Sequence, residues 1–80
     1  MKMNLNLPEG WEWSYIFHHK GVYYLCAIKR LRSFRSFNDY ICTLCKEVFV
    51  RSKSLEKGYR SLLKKIKRGQ FKERYIYLQS

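Results

Sequence analysis

Acidic residues are scarce in this 80-residue chain, where six Asp and Glu stand against seventeen Lys and Arg and give a formal net charge of +11. Long apolar runs are also missing, since no segment approaches the roughly 18 residues that a membrane-spanning helix needs. The segment Met1–Pro8 lacks the apolar core of a signal peptide. We therefore expect a cytoplasmic protein that makes no membrane contact.

Cysteine is also sparse, and the three cysteines are Cys26, Cys42 and Cys45. An odd number does not suit a framework of paired disulfides, so a reducing compartment is the simpler expectation. Small buried thiols are the commonest state of free cysteine. We expect these three residues to be part of the core.

Features of an active site are few. The carboxylates are single and scattered, no glycine-rich phosphate loop is present, and no Ser or Cys has a recognisable base partner. His18 and His19 precede a predicted turn and are expected to be polar residues beside it. The sequence predicts neither an enzyme nor a cofactor.

The chain has ample material for one folded unit. Hydrophobic residues make up 46% and aromatic residues 18% of it, far from the composition of disordered segments. A chain this short forms one core, so we expect a single small basic domain over residues 1–80, with residues 1–10 as a short leader. The first 28 residues hold two lysines and two glutamates, so the whole +11 excess lies in residues 29–80.

Period-2 alternation predicts strands in the first half of the chain. Trp11, Trp13, Tyr15 and Phe17 alternate with other residues, which predicts a strand with one aromatic face. Gly21 favours a turn into a second strand, from Val22 to about Arg30, and Tyr40–Val50 is typical of a third. The segment 30–38 repeats Arg-Ser-Phe before Asn38-Asp39, and we expect it to be an exposed loop.

In the second half of the chain, capping residues predict a helix that begins at Ser52 or Ser54 and ends before Gly69. Its apolar residues fall on one stripe that should pack on the sheet: Leu55, Tyr59, Leu62, Leu63 and Ile66. Gly58 should weaken this helix by about 1 kcal/mol relative to Ala. Tyr75–Leu78 could add a last strand, so the fold class is α+β, a three- or four-stranded antiparallel sheet with one amphipathic helix on a face.

The region around two of the cysteines resembles a zinc finger of the two-cysteine, two-histidine family in the spacing of Tyr40, Cys42, Cys45, Phe49 and Leu55. Gly58 and Leu62 occupy the positions where that family has its histidine ligands. Residues three apart in a straight strand also point to opposite faces. We expect no metal site here.

Cations cluster in two places and predict a polyanionic partner, most simply DNA or RNA bound through its backbone. The first place is the predicted helix and the residues before it: Arg51, Lys53, Lys57, Arg60, Lys64 and Lys67. The second is the predicted loop, where arginines stand among phenylalanines that could stack on bases: Arg30, Arg32, Phe34, Arg35 and Phe37.

An alternative partner is a protein. Arginines among surplus aromatics are also the composition of protein hot spots. The chain could then be an interaction inhibitor, for instance a viral or phage-encoded anti-defence protein, that docks on an acidic or nucleic-acid-binding surface of a larger host complex.

Overall fold

The computed structural model describes residues 4–35 and 40–79, which form one antiparallel sheet and one helix. The elements in chain order are β1 (Trp11–His19), β2 (Val22–Arg35), β3 (Tyr40–Ser52), α1 (Leu55–Lys67) and β4 (Lys72–Gln79). The strand order in the sheet is β1-β2-β3-β4, so each strand pairs with its neighbours in sequence. The predicted α+β class, with the helix packed on the sheet and a C-terminal strand, is confirmed.

β1 and β2 are joined by a two-residue turn. Both residues have positive φ, 49° at Lys20 and 78° at Gly21. Positive φ at both positions is typical of the turn whose twist matches that of the flanking strands, and glycine adopts it without steric cost. The hairpin predicted at this point is confirmed.

A β-bulge at Ser14 divides the aromatic residues of β1. Trp13 is paired with Ala27 and Tyr15 with Cys26. β1 therefore has one extra residue, Ser14, between two pairs that are adjacent on β2. Neighbouring residues of β2 point to opposite faces, and therefore so do Trp13 and Tyr15. The prediction of one continuous aromatic face from Trp11 to Phe17 is wrong, because the bulge sends the tryptophans to the helix side and the later rings to the other side.

A second bulge, at Leu31, lies within β2. Arg30 is paired with Cys45 and Arg32 with Leu44, and pairing then continues to Arg35. The prediction of an exposed loop over residues 30–38 is wrong for residues 30–35, which are strand because β3 supplies a ladder partner for them. Residues 36–39, which include Phe37, lie outside the described residues.

α1 begins and ends as predicted, because its cap residues satisfy its terminal backbone groups. Ser54 is the N-cap, and its Oγ accepts a hydrogen bond of 3.3 Å from the backbone N–H of Lys57. Gly69, with φ of 72°, follows the C-terminal end. These caps therefore account for both ends of the helix.

The main core lies between α1 and the sheet. Leu62 is fully buried, and three other stripe residues pack on the same core: Leu55, Tyr59 and Ile66. The sheet supplies its buried floor: Leu25, Ala27, Val48 and Val50. Leu63 is half-buried. The predicted apolar stripe is therefore the side of α1 that faces the sheet.

The leader is tied to the helix side of the sheet. Leu7 packs against the main core. Trp13 Nε1 donates a hydrogen bond of 2.8 Å to the carbonyl of Leu5, and the Tyr59 hydroxyl donates to the carbonyl of Asn6. Residues 5–7 thus cover the space between β1 and α1 and add apolar cover to a small core.

The cysteines are free and buried, as predicted. Cys42 and Cys45 are three residues apart on a part of β3 that pairs with β4 without interruption, so they point to opposite faces. The two thiols therefore cannot bind one ion together. In residues 4–35 and 40–79, neither the length of α1 nor its hydropathy suits a membrane span.

Candidate functional site

The face of the sheet opposite α1 carries four neighbouring rings, which we call the aromatic face: Tyr15, Phe17, Tyr24 and Phe49. The rings of Phe17 and Tyr24 are stacked, with centroids 4.7 Å apart and an interplanar angle of 16°. Tyr15 lies 5.5 Å from Phe17, and Phe49 lies 6.3 Å from Tyr24. Three adjacent strands therefore place their aromatic side chains in one continuous patch.

The aromatic face is exposed because of the sheet's shape. Phe17 is 50% exposed and Phe49 is 42% exposed. β4 begins at Lys72, opposite Glu47, so among residues 4–35 and 40–79 no strand pairs with the outer edge of the last residues of β3. α1 packs on the other side of the sheet. Within the part of the chain that the structure describes, the rings thus have no second layer above them.

A small buried cluster lies beneath and beside these rings, formed by Cys26, Ile28 and Cys45. Burial, with a contribution from the Glu47 carboxylate, raises the pKa of the Cys26 thiol to about 11. Burial also raises the pKa of Cys45, and that of Tyr15, the cross-strand partner of Cys26. The thiols of this face are therefore protonated at neutral pH and are poor nucleophiles.

A groove of about 630 Å³ runs along the open edge of β3, and we call it the edge groove. Lys65 and Lys72 line it together with Tyr15 and Phe49 of the aromatic face. Lys65 Nζ also donates a hydrogen bond of 3.3 Å to the carbonyl of Phe49 on that strand edge. The groove thus connects the aromatic face to cations at the C-terminal half of α1 and the start of β4.

The edge groove also contains one carboxylate. Glu47 lines it, and its Oε2 accepts a hydrogen bond of 2.9 Å from Nη1 of Arg74. That ion pair compensates the negative charge locally. The acidic side chain therefore leaves the cationic character of the groove in place.

A second groove, of about 290 Å³, lies at the other end of the aromatic face, and we call it the hairpin groove. Tyr24, Arg51 and Lys53 line it. Arg51 is paired with Tyr24 across the strands and so shares the helix-free face with it. The aromatic face therefore has a cationic groove at each end.

The cations of α1 form a separate surface, the helix stripe, which comprises Lys57, Arg60, Lys64 and Lys67. All four side chains are exposed. Their spacing places them along one side of the helix over about 15 Å. Arg60 is paired with the carboxylate of Glu56, one turn earlier. The three lysines of the stripe therefore carry most of its uncompensated positive charge.

The structure divides the set of cations predicted around the helix. Lys57, Arg60, Lys64 and Lys67 share the helix stripe as predicted. Arg51 belongs to the opposite face of the sheet because it pairs with Tyr24, and Lys53 lies with it in the hairpin groove. The predicted set therefore covers two surfaces.

The residues predicted in the loop are also divided, by the bulge at Leu31. Arg30 and Arg35 share the helix-free face, and Arg30 Nε lies 2.6 Å from Oε1 of Glu12. Arg32 and Phe34 point to the other side. The ring of Phe34 there contacts Tyr75, with centroids 6.4 Å apart. These residues consequently form no single cluster of arginines and rings.

Sequence reasoning did not single out three side chains beside the aromatic face, namely Phe49, Lys65 and Lys72. The sequence marks Phe49 only as part of a β-rich stretch and of the zinc-finger spacing, and neither predicts a binding surface. Its position beside Tyr24 depends on cross-strand register, which a single sequence does not supply. Lys65 and Lys72 both line the edge groove because β4 begins opposite Glu47 and leaves the end of β3 uncovered by that strand. Nothing local in the sequence marks that starting point.

Comparison with protein-family models, curated proteins and solved structures gives no match. In the described residues, His, Cys, Asp and Glu form no group of three that could hold a metal ion. Function is therefore inferred from the helix stripe, the aromatic face and the two grooves alone.

Proposed function

We propose that this protein binds nucleic acid by electrostatic contacts to the phosphate backbone. The observation that carries the proposal is the helix stripe, four exposed cations aligned on one side of α1 in a chain of net charge +11. Phosphates neutralised by Lys and Arg release condensed counterions, and this release supplies most of non-specific binding. A row of cations about 15 Å long can contact several successive phosphates of a nucleic-acid backbone.

The helix stripe has a fixed direction, which supports the same proposal. The apolar side of α1 is buried against the sheet through Leu62 and its neighbours. The lysines of the stripe therefore remain exposed on the surface as long as the core is intact, both in the free protein and in a complex. Backbone contacts of this kind position a ligand without reading its bases, so we expect weak sequence specificity.

Docking on an anionic membrane is less well supported by the same packing. An interfacial helix inserts its apolar side into the lipid boundary. In this protein that side of α1 contacts Leu25, Ala27, Val48 and Val50 in the core. Membrane insertion of α1 would therefore require the main core to open.

A protein partner is the second candidate function, and the exposed rings beside Arg51 favour it. Phe17 and Phe49 are each about half-exposed, and aromatic residues with arginine are typical anchors of protein interfaces. Under this alternative the protein would act as an inhibitor, phage-encoded for example, on an acidic or nucleic-acid-binding surface of a larger host complex. It would then bind a discrete partner without measurable affinity for free nucleic acid.

Fluorescence anisotropy with labelled random-sequence DNA and RNA tests the proposal. At low salt we expect both to bind, with affinity that weakens to the micromolar range or beyond as salt approaches physiological levels. An unlabelled polyanion such as heparin should compete. Absence of binding to either nucleic acid at low salt would overturn the proposal and leave the protein partner as the remaining candidate.

A further inference from the structure

We propose that the aromatic face is a stacking platform for unpaired bases, so that the ligand of this protein is single-stranded nucleic acid. This inference rests on the proposed function and deepens it by naming the class of nucleic acid. It uses a different surface from the helix stripe, on the opposite side of the sheet.

The first support is the arrangement of the rings. Phe17, Tyr24 and Phe49 come from three adjacent strands and present one patch with no layer above it in the described chain. Every base has a flat π surface, so stacking on such rings tolerates any sequence. A base stacked on an aromatic side chain strengthens binding by about fivefold to 150-fold.

The second support is charge complementarity at both ends of the patch. Arg51 and Lys53 line the hairpin groove, and Lys65 and Lys72 line the edge groove. A strand whose bases lie on the rings would bring its phosphates to these cations. The combination of a cationic track and stacking rings is the usual design of single-strand binding surfaces.

A duplex does not suit this surface. In a duplex the flat sides of the bases are already stacked on each other, and extruding a base costs a few kcal/mol. Exposed rings on an open sheet cannot reach base surfaces without that cost. A single strand offers its bases directly, so the aromatic face should add affinity for single strands alone.

A second copy of the chain is the main rival occupant of the aromatic face. Self-association through it would bring the grooves of two molecules together, each with two cations, in proteins that both carry a charge of +11. Like charges across an interface oppose association. The charge around the rings therefore favours a polyanion over another copy.

The test compares a labelled oligothymidylate with an abasic deoxyribose-phosphate oligomer of equal length and with a duplex. The wild-type protein should bind the oligothymidylate at least about fivefold more tightly than the abasic oligomer. Phe17→Ala combined with Phe49→Ala should remove that preference and leave the salt dependence of binding unchanged. Equal affinity of the wild-type protein for the abasic and natural strands would overturn the inference.

Phe34→Ala combined with Tyr75→Ala is the matched control. These rings are 48% and 47% exposed, close to Phe17 and Phe49, but lie on the other side of the sheet. The control should keep the preference for natural strands. If the double variant of the aromatic face fails to fold, Phe17→Leu and Phe49→Leu remove the rings and keep apolar volume, and the same loss is expected.

The outcomes separate this inference from the proposed function. If the wild-type protein binds no strand at low salt, both fail. If it binds natural, abasic and duplex probes equally, backbone binding stands and the stacking platform is wrong. If the Phe17 and Phe49 substitutions convert a dimer to a monomer in sedimentation and leave oligothymidylate affinity intact, the face is a self-interface and the inference is overturned.

Discussion

Gly58 of α1 lies directly against Leu25 of β2, since a Cβ atom at Gly58 would stand 2.9 Å from Leu25 Cδ1 and 3.2 Å from Ser52 Cβ. Helix propensity alone predicts that Gly58→Ala stabilises the protein by about 1 kcal/mol. Leu25 is fully buried and cannot yield freely, so overpacking should exceed that gain. We expect Gly58→Ala to lower the free energy of unfolding by about 1 kcal/mol in urea denaturation.

The exposed neighbour Lys57 supplies the control for helix propensity. Replacing Lys57 by Ala and by Gly should give variants whose unfolding free energies differ by about 1 kcal/mol in favour of Ala. A Gly58→Ala protein more stable than the wild type would show that α1 and the sheet are not as close as this contact requires.

The leader contributes to stability through Trp13. Trp13→Phe keeps a ring in the core and removes the hydrogen bond from Nε1 to the carbonyl of Leu5. We expect a loss of about 1 kcal/mol in unfolding free energy. Trp11→Phe is the control, because it keeps a ring beside Phe71. Equal losses in both variants would argue against a specific tie between the leader and β1.

The helix stripe should act on binding and barely on stability. Lys57→Glu combined with Lys64→Glu alters two exposed side chains, which contribute little to folding. We expect a thermal midpoint within a few degrees of wild type and weaker binding to every sequence. The slope of log K against log salt should become shallower by about 0.7 to 0.9 for each phosphate that the variant no longer neutralises.

Lys57→Arg combined with Lys64→Arg is the control for that pair, since it keeps both charges in place. It should bind like the wild-type protein. Unchanged affinity in the glutamate variant would show that the electrostatic contact with nucleic acid does not involve the helix stripe.

Alkaline pH should destabilise the protein in part through Cys26. Burial raises the pKa of this thiol to about 11 in the folded state, whereas the unfolded chain's thiol ionises near 9.0. Between these values the unfolded state binds fewer protons, so the free energy of unfolding falls as pH rises, by roughly 3 kcal/mol over the whole window. Below that window both states hold the proton and this residue gives no pH dependence.

Comparison with Cys26→Ala isolates this effect from the other groups that titrate at alkaline pH. Urea denaturation at about pH 8 and about pH 10.5 should show a smaller loss of stability in the variant than in the wild-type protein. Equal losses in the two proteins would contradict the assignment to Cys26.

Local signals in the sequence were enough for most of the fold. The Ser54 cap, Gly69 and the apolar spacing from Leu55 to Ile66 predict the helix and its buried side, since capping and periodicity act within a few residues. Gly21 likewise predicts the hairpin. These features depend on the chain's own neighbours and need no knowledge of pairing.

The bulges at Ser14 and Leu31 explain why the candidate surfaces could not be predicted in the same way. Each adds one residue to one strand and exchanges the faces of everything beyond it. The exchange moves Tyr15 and Phe17 away from the tryptophans, and Arg32 away from Arg30. Where a bulge forms depends on packing against the partner strand, which a single sequence does not show.

The salt dependence of wild-type binding tests the central claim most directly. The association constant for a labelled single strand should be measured by anisotropy across a series of salt concentrations. Contacts to three or more phosphates predict a slope of log K against log salt of about −2 or steeper. A slope near zero, or no binding at the lowest salt, would contradict a polyanion-binding role for this protein.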